Sequence, residues 1–267
     1  MKKYLSFFRI RVVAGMQYRA AAWAGMATQF AWGGMTILMF WAFYQSGADE
    51  FPMGFAQLAS YIWLQQAFLA LYMAWFFDED IFSSITTGQI AYELCRPMDL
   101  YSMWFTRNMA HRISSVTRRC LPILIFASLL PEPFGLRLPA GVGSGMLAVL
   151  SMLSGFLLLI AYSMLIYISA FFTISAKGLR ILSISVVEFF AGAVIPLPFF
   201  PDRIREVVML LPFASMQSTP FLIYVGQIEG TAAVQAIGLQ LFWLLILWAI
   251  GRYLMRIALK KVVVQGG

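Results

Sequence analysis

Three consecutive acids, Asp78-Glu79-Asp80, stand directly before the stretch Ile81-Phe82-Ser83-Ser84-Ile85. Negative charge at that place complements the positive end of a short helix, and Ile81, Phe82 and Ile85 can share one of its faces. Gly88 is placed to end that helix. A second short amphipathic piece follows, Gln89-Ile90-Ala91-Tyr92-Glu93-Leu94-Cys95-Arg96, and Pro97 stops it. The chemistry offered is recognition through charge and apolar anchors, not bond making. The same residues also read as an ordinary solvated loop lying on lipid headgroups.

Glu188 is the other acid in an informative place, within the apolar run Ser185-Val186-Val187-Glu188-Phe189-Phe190. An ionisable group inside a span costs about 2.5–3.5 kcal/mol on insertion scales and faces a partner helix or water, not lipid. Binding or gating of a cationic substrate is one reading. A helix–helix hydrogen bond or ion pair is the other. Gln29, Gln65 and Gln66 also fall in apolar stretches, where glutamines usually join helices.

Catalytic constellations are missing. No Gly-x-x-x-x-Gly-Lys-Ser/Thr phosphate loop occurs. The single histidine, His111, excludes zinc sites that need paired His, and no Gly-x-Ser-x-Gly elbow supports a hydrolase. Cys95 and Cys120, the two cysteines, fall in stretches expected at the cytoplasmic side, where thiols stay reduced. They form no disulfide or metal framework.

The elements that carry these residues are membrane helices. Of 267 residues, 61% are hydrophobic and 12% charged, against about 25% charged in soluble domains. At about 20 apolar residues per crossing, the length suits an all-α polytopic membrane protein: a single permease-like unit, 1–267, with no room for a soluble catalytic domain. The basic N-terminus lacks an apolar core and cleavage site and is expected to remain on the mature protein. Residues 1–20 read as an interfacial helix, with Leu5, Phe8 and Val12 on one face and Lys2, Ser6, Arg9 and Gln17 on another.

Six spans are expected. The first runs from Ala21 to Tyr44, followed by an acidic loop with Asp49 and Glu50, and the second from Gly54 to Phe76. The third rests on the apolar run Cys120–Leu130, extended back to Ile113 with Arg118 and Arg119 snorkelling. It is kept because five spans would put the two basic termini on opposite sides. The fourth lies within Gly143–Thr173, the fifth covers Ile181–Phe200, and the sixth Ala232–Met255. Residues 202–230 divide at Pro212 and Pro220 into pieces too short to cross, expected as outer re-entrant helices. With both termini inside, all nineteen Lys and Arg except Arg137, Arg203 and Arg205 lie on the inner side. The net charge of +7 is therefore read as orientation and anionic-lipid contact, not as a nucleic-acid surface.

The segment after the second span resembles a known family, the type-2 class of ABC transporter permeases. It is most similar to the bacterial subfamily whose loop reads Gly-x-Ile-x-x-x-Leu-x-Arg-Pro, matched by Gly88, Ile90, Leu94, Arg96 and Pro97. The resemblance extends to the Pro-rich run Gly192-Ala193-Val194-Ile195-Pro196-Leu197-Pro198-Phe199-Phe200-Pro201 and to Leu211-Pro212-Phe213. It implies that residues 77–100 form a cytoplasmic coupling segment that fits into a groove of an ATPase. A short, charged, proline-braced element is stiff enough for that role. Asp78, Glu79, Asp80, Glu93 and Arg96 are then the expected ATPase contacts, with Phe82 and Ile90 as apolar anchors. The resemblance also places Gln29, Tyr61, Gln65, Gln66 and Glu188 along a translocation path, with Trp63 and Tyr72 as neighbours.

By resemblance, the chain is a non-enzymatic transport subunit of the bacterial inner membrane, with both termini cytoplasmic. Its partners are two ABC ATPase copies and a second permease, identical or related. No cofactor belongs to this chain, and ATP and Mg sit on the ATPase. Efflux of a hydrophobic or amphiphilic drug or toxic compound is the first expectation, and export of a lipid-linked glycan or peptide the second. A secondary transporter driven by an ion gradient is the rival class, poorly served by one buried acid and no inverted pair of broken helices.

Overall fold

A computed structural model describes residues 2–17, 19–47, 51–139, 141–173 and 175–261. The expected acidic loop at Asp49 and Glu50, and the ends of the 1–267 unit, lie outside them. The described residues fold into helices with no strand among them.

Helix α1 (Lys2–Gly15) packs along α7 (Leu100–Leu129). Its half-buried residues Tyr4, Phe7, Phe8, Arg11, Val12 and Gly15 recur at helical spacing. Leu5, Ile10 and Val13 remain exposed on other faces. The expected apolar stripe of Leu5, Phe8 and Val12 is thus split, because α7 takes the Phe8 and Val12 side.

Helix α2 (Arg19–Gln45) lies against α3 (Phe55–Ala67), and α3 occupies the centre of the molecule. Leu58, Tyr61, Ile62, Trp63 and Leu64 are all sealed from the surface. The second span, expected as one helix to Phe76, breaks at Phe68, resumes for the four residues of α4 (Leu69–Tyr72), and then unwinds.

Arg112, which is fully buried, holds the unwound end. Its Nη1 donates to the carbonyls of Leu71 (3.0 Å) and Met73 (2.8 Å), and its Nη2 to that of Phe76 (3.4 Å). Asn108 Oδ1 accepts from its Nε at 2.7 Å. The carbonyls released by unwinding are therefore satisfied inside the protein, as buried backbone requires.

Arg112 also explains α7. The expected third span begins near Ile113, yet α7 is one 30-residue helix from Leu100, capped by Asp99 and carrying Pro122. Arg107 and Arg112 sit on its inward face, 8% and 0% exposed, with partners in the protein. Polar residues that look solvated in the sequence extend the helix because they face other helices.

Helix α8 (Val142–Ser169) is the core helix of the remaining bundle, and α13 (Gly230–Lys261) packs along it. These two are the helices long and apolar enough to cross a membrane by length and hydropathy together among the described residues. Gln240, buried on α13, accepts from Ser151 Oγ (2.9 Å) and donates to the carbonyls of Ser151 (3.2 Å) and Ser215 (2.8 Å), stitching α13 to α8 and α11.

The fifth expected span, Ile181–Phe200, is shorter than expected. Helix α9 (Lys177–Phe190) has 14 residues, about 21 Å against a hydrocarbon core of about 30 Å. It ends at Gly192, whose φ of +75° is a conformation that suits glycine. A short 3₁₀ turn at Leu197–Phe199 leads into α10 (Asp202–Leu210), α11 (Pro212–Met216) and α12 (Ser218–Tyr224). α11 and α12 pack on α8 as short buried helices, an arrangement that irregular backbone at membrane depth requires.

Replacing Arg112 with Met should leave three buried carbonyls unsatisfied and cost at least about 3 kcal/mol. Thermal unfolding in detergent should show a large fall in Tm that Arg112→Lys does not restore, since one ammonium cannot span the three acceptors.

Candidate functional site

The chain emerging from the unwound end of α4 forms two short helices, α5 (Glu79–Thr86) and α6 (Ile90–Leu94). Asp78 caps α5, accepting from the Asp80 N–H at 3.1 Å, with Glu79 and Asp80 in the first turn where the helix dipole favours acids. Between the helices, Gly88 adopts φ +75°, which permits the sharp change of direction.

Arg107 of α7 is the hub of the site. Its Nε lies 2.5 Å from Asp78 Oδ2, and its Nη2 lies 2.8 Å from both Asp78 Oδ1 and Asp80 Oδ2. Its Nη1 is 3.8 Å from Glu93. Glu93 Oε2 accepts from the indole N–H of Trp104 at 2.6 Å. One guanidinium thus ties the start of α5 to α6.

Other elements fix the same segment. Tyr167 of α8 accepts from the Asp78 N–H at 2.7 Å, and its ring meets Phe77 and Phe82. Lys3 of α1 donates to the Pro97 carbonyl, and Tyr4 accepts from the Asp99 N–H at 3.0 Å. Arg180, in the first turn of α9, pairs with Glu79 and lies over the rings of Phe77 and Phe82 at 5.9 and 5.6 Å. The segment therefore touches α1, α7, α8 and α9 together.

The expected contact residues divide. Asp80, with a side chain 84% exposed, and Glu79 face outward while paired. Gly88, Leu94, Arg96 and Pro97 are exposed, and Tyr92 is 77% exposed. Glu93 turns inward to Trp104 and Arg107, with a side chain 15% exposed. Its place in the structure is that of a brace, in contrast to the outward contact expected. Ile90 is sealed in the core and Phe82 is half-buried, so both anchor the segment to its own protein.

The residues expected along a path are partly brought together. Gln65 Nε2 donates to the Gly192 carbonyl at 2.7 Å, and Tyr61 donates to the same oxygen at 3.3 Å while sitting 3.1 Å from Ser218 Oγ. Gln66 points the other way, against Gly33 of α2. Gln29 is buried in α2 with no hydrogen-bond partner for its amide among the described residues. Glu188 is half-buried near the end of α9, and its carboxylate has no ion pair among the described residues.

The sequence reading passed over Arg107, Arg112, Arg180, Trp104 and Tyr167. One signal was available: three adjacent acids need counter-charge, and Arg107 is an early cation of the amphipathic stretch downstream.

Two predictions follow from this geometry. Glu79→Arg and Arg180→Glu should each weaken the tie between α5 and α9, and the double swap should restore it. A double-mutant cycle on unfolding should give a coupling of about 0.5–1 kcal/mol, as for an exposed pair. The second concerns Asp99. Burial opposes its charge, but the Ser102 hydroxyl and N–H and then Arg252 and Arg256 outweigh that and hold its pKa below the ordinary 3.8. The α7 cap is therefore fully effective at neutral pH and is lost as pH falls from 3.8 through the folded value. Asp99→Asn should remove that part of the acid-side slope of stability.

A family model described as ABC-2 family transporter protein matches residues 30–266. No curated protein matches the chain. The match spans α2 through α13 and includes the Arg107-centred segment. The chain belongs to the ABC-2 family of transporter proteins and is a membrane permease subunit of an ABC transporter.

Proposed function

We propose that this permease works in an ATP-driven exporter of the bacterial inner membrane, moving a hydrophobic or amphiphilic compound outward. A separate ABC ATPase, in two copies, docks on α5–α6, and a second permease, identical or related, completes the pathway. ATP and Mg belong to the ATPase. The termini are cytoplasmic, and the six crossings are α2, α3–α4, α7, α8, α9 with its following turn, and α13.

The observation that carries the reading is the contrast within residues 77–97. Its inner side is fastened by Arg107, Trp104 and Tyr167, while Thr86–Gln89, Tyr92 and Arg96 stand exposed. A rigid element with an exposed Tyr and Arg has the composition of an interface hot spot. Force applied to that face passes through the Glu79–Arg180 pair to α9 and through the unwound strand to α3. Glu93 and Asp78 serve as braces here, and Tyr92, Arg96 and the Thr86–Gln89 turn are the docking surface.

The test is affinity purification of the tagged full chain from its native membrane. A P-loop ATPase should co-purify, and Tyr92→Ala with Arg96→Glu should reduce its recovery at least about tenfold without lowering Tm. A wild-type chain that brings down no such ATPase overturns the assignment.

A further inference from the structure

Residues of α7 and α8 line a cavity of about 830 Å³, within the range of about 300–1,000 Å³ typical of small-molecule sites. Leu64 and Met152 form its floor, and Ile125, Met146 and Val149 its walls. The wall residues are exposed, Met146 at 69% and Val149 at 57%. They stand on α8, a helix of membrane-crossing length with mean hydropathy 2.2. The medium beside the opening is therefore hydrocarbon.

Polar side chains stand beside this groove. Leu136 and Leu138 line the apolar cavity, and Arg137 between them lines two neighbouring cavities of about 570 and 150 Å³. The backbone N–H of Arg137 donates to Ser60 Oγ at 2.9 Å, which fixes its place. Its guanidinium is half exposed and pairs with Glu132 at 3.0 Å, the acid being 73% exposed. A surface pair of this kind is weakly held. A phosphate, which accepts two parallel hydrogen bonds from a guanidinium, can replace it.

An apolar groove that opens to hydrocarbon, with a guanidinium in the cavities next to it, suits an amphiphile. We propose that it is a binding site for a bilayer glycerophospholipid, the acyl chain between α7 and α8 and the phosphate on Arg137. The inference rests on membrane residence and not on the ATPase-docking reading, so the two stand or fall separately.

Native mass spectrometry of the full chain in mild detergent, titrated with phosphatidylglycerol or with diacylglycerol, which lacks the phosphate, tests it. The wild type should hold one phosphatidylglycerol and prefer it about tenfold. Arg137→Gln should erase the preference and leave weak binding of either lipid. Val149→Trp, which fills the groove from an exposed position, should abolish retention; Met146→Trp should do the same and serves if the first variant folds poorly. Equal binding of both lipids by the wild type, or undiminished retention by either folded Trp variant, overturns the proposal. So does a photoreactive side chain at Leu153 that captures a second copy of the chain or a non-lipid compound in place of lipid.

Discussion

A guanidinium with no water around it governs this molecule. Arg112 is sealed from solvent and spends its donors on Asn108 and on the backbone of residues 71–76. Helix capping usually relies on a side chain within a residue or two of the terminus. Here the cap comes from another helix, forty residues along the chain. That holds the chain unwound after Tyr72 and fixes where the segment from Phe77 to Pro97 begins. Everything bound by Arg107 is placed relative to a strand that Arg112 has already positioned.

The polar contacts inside this bundle form two tiers on α7. Arg112 holds backbone and Arg107, five residues earlier, holds carboxylates. The first is insensitive to the chemistry of its partners' side chains, and the second depends on it entirely. A buried charge is tolerated when it is paired and hydrogen-bonded, and each arginine is paired differently. Together they make the first half of α7 a polar spine inside an otherwise apolar protein.

How much of this could be read in the sequence depends on where the decisive partner lies. Helices α8 and α13 were legible because hydropathy alone defines them. The helix at Glu79–Thr86 and its stop at Gly88 were legible because capping chemistry is local. The ends of α4 and α9 were not. They are set by Arg112 and by Tyr61 with Gln65, donors that lie outside any window centred on the break. Glu93 was an expected ATPase contact by resemblance alone, and Trp104 and Arg107, which turn it inward, belong to the next helix. The long reach of α7 was missed for a related reason: arginines facing protein and arginines facing water look alike in one dimension.

The joint between α3 and α9 has a property of its own. The Gly192 carbonyl receives the Gln65 amide and the Tyr61 hydroxyl at once, so both lone pairs of one oxygen are occupied. Both donors are buried, and a displaced Gly192 would strand the Gln65 amide away from water, at a cost of the order of 1–3 kcal/mol, and leave Tyr61 with Ser218 alone. Small displacements therefore meet a steep restoring force, and a large one releases both bonds together. Such a joint gives the bundle a stiff point, seated at the turn that follows Glu188.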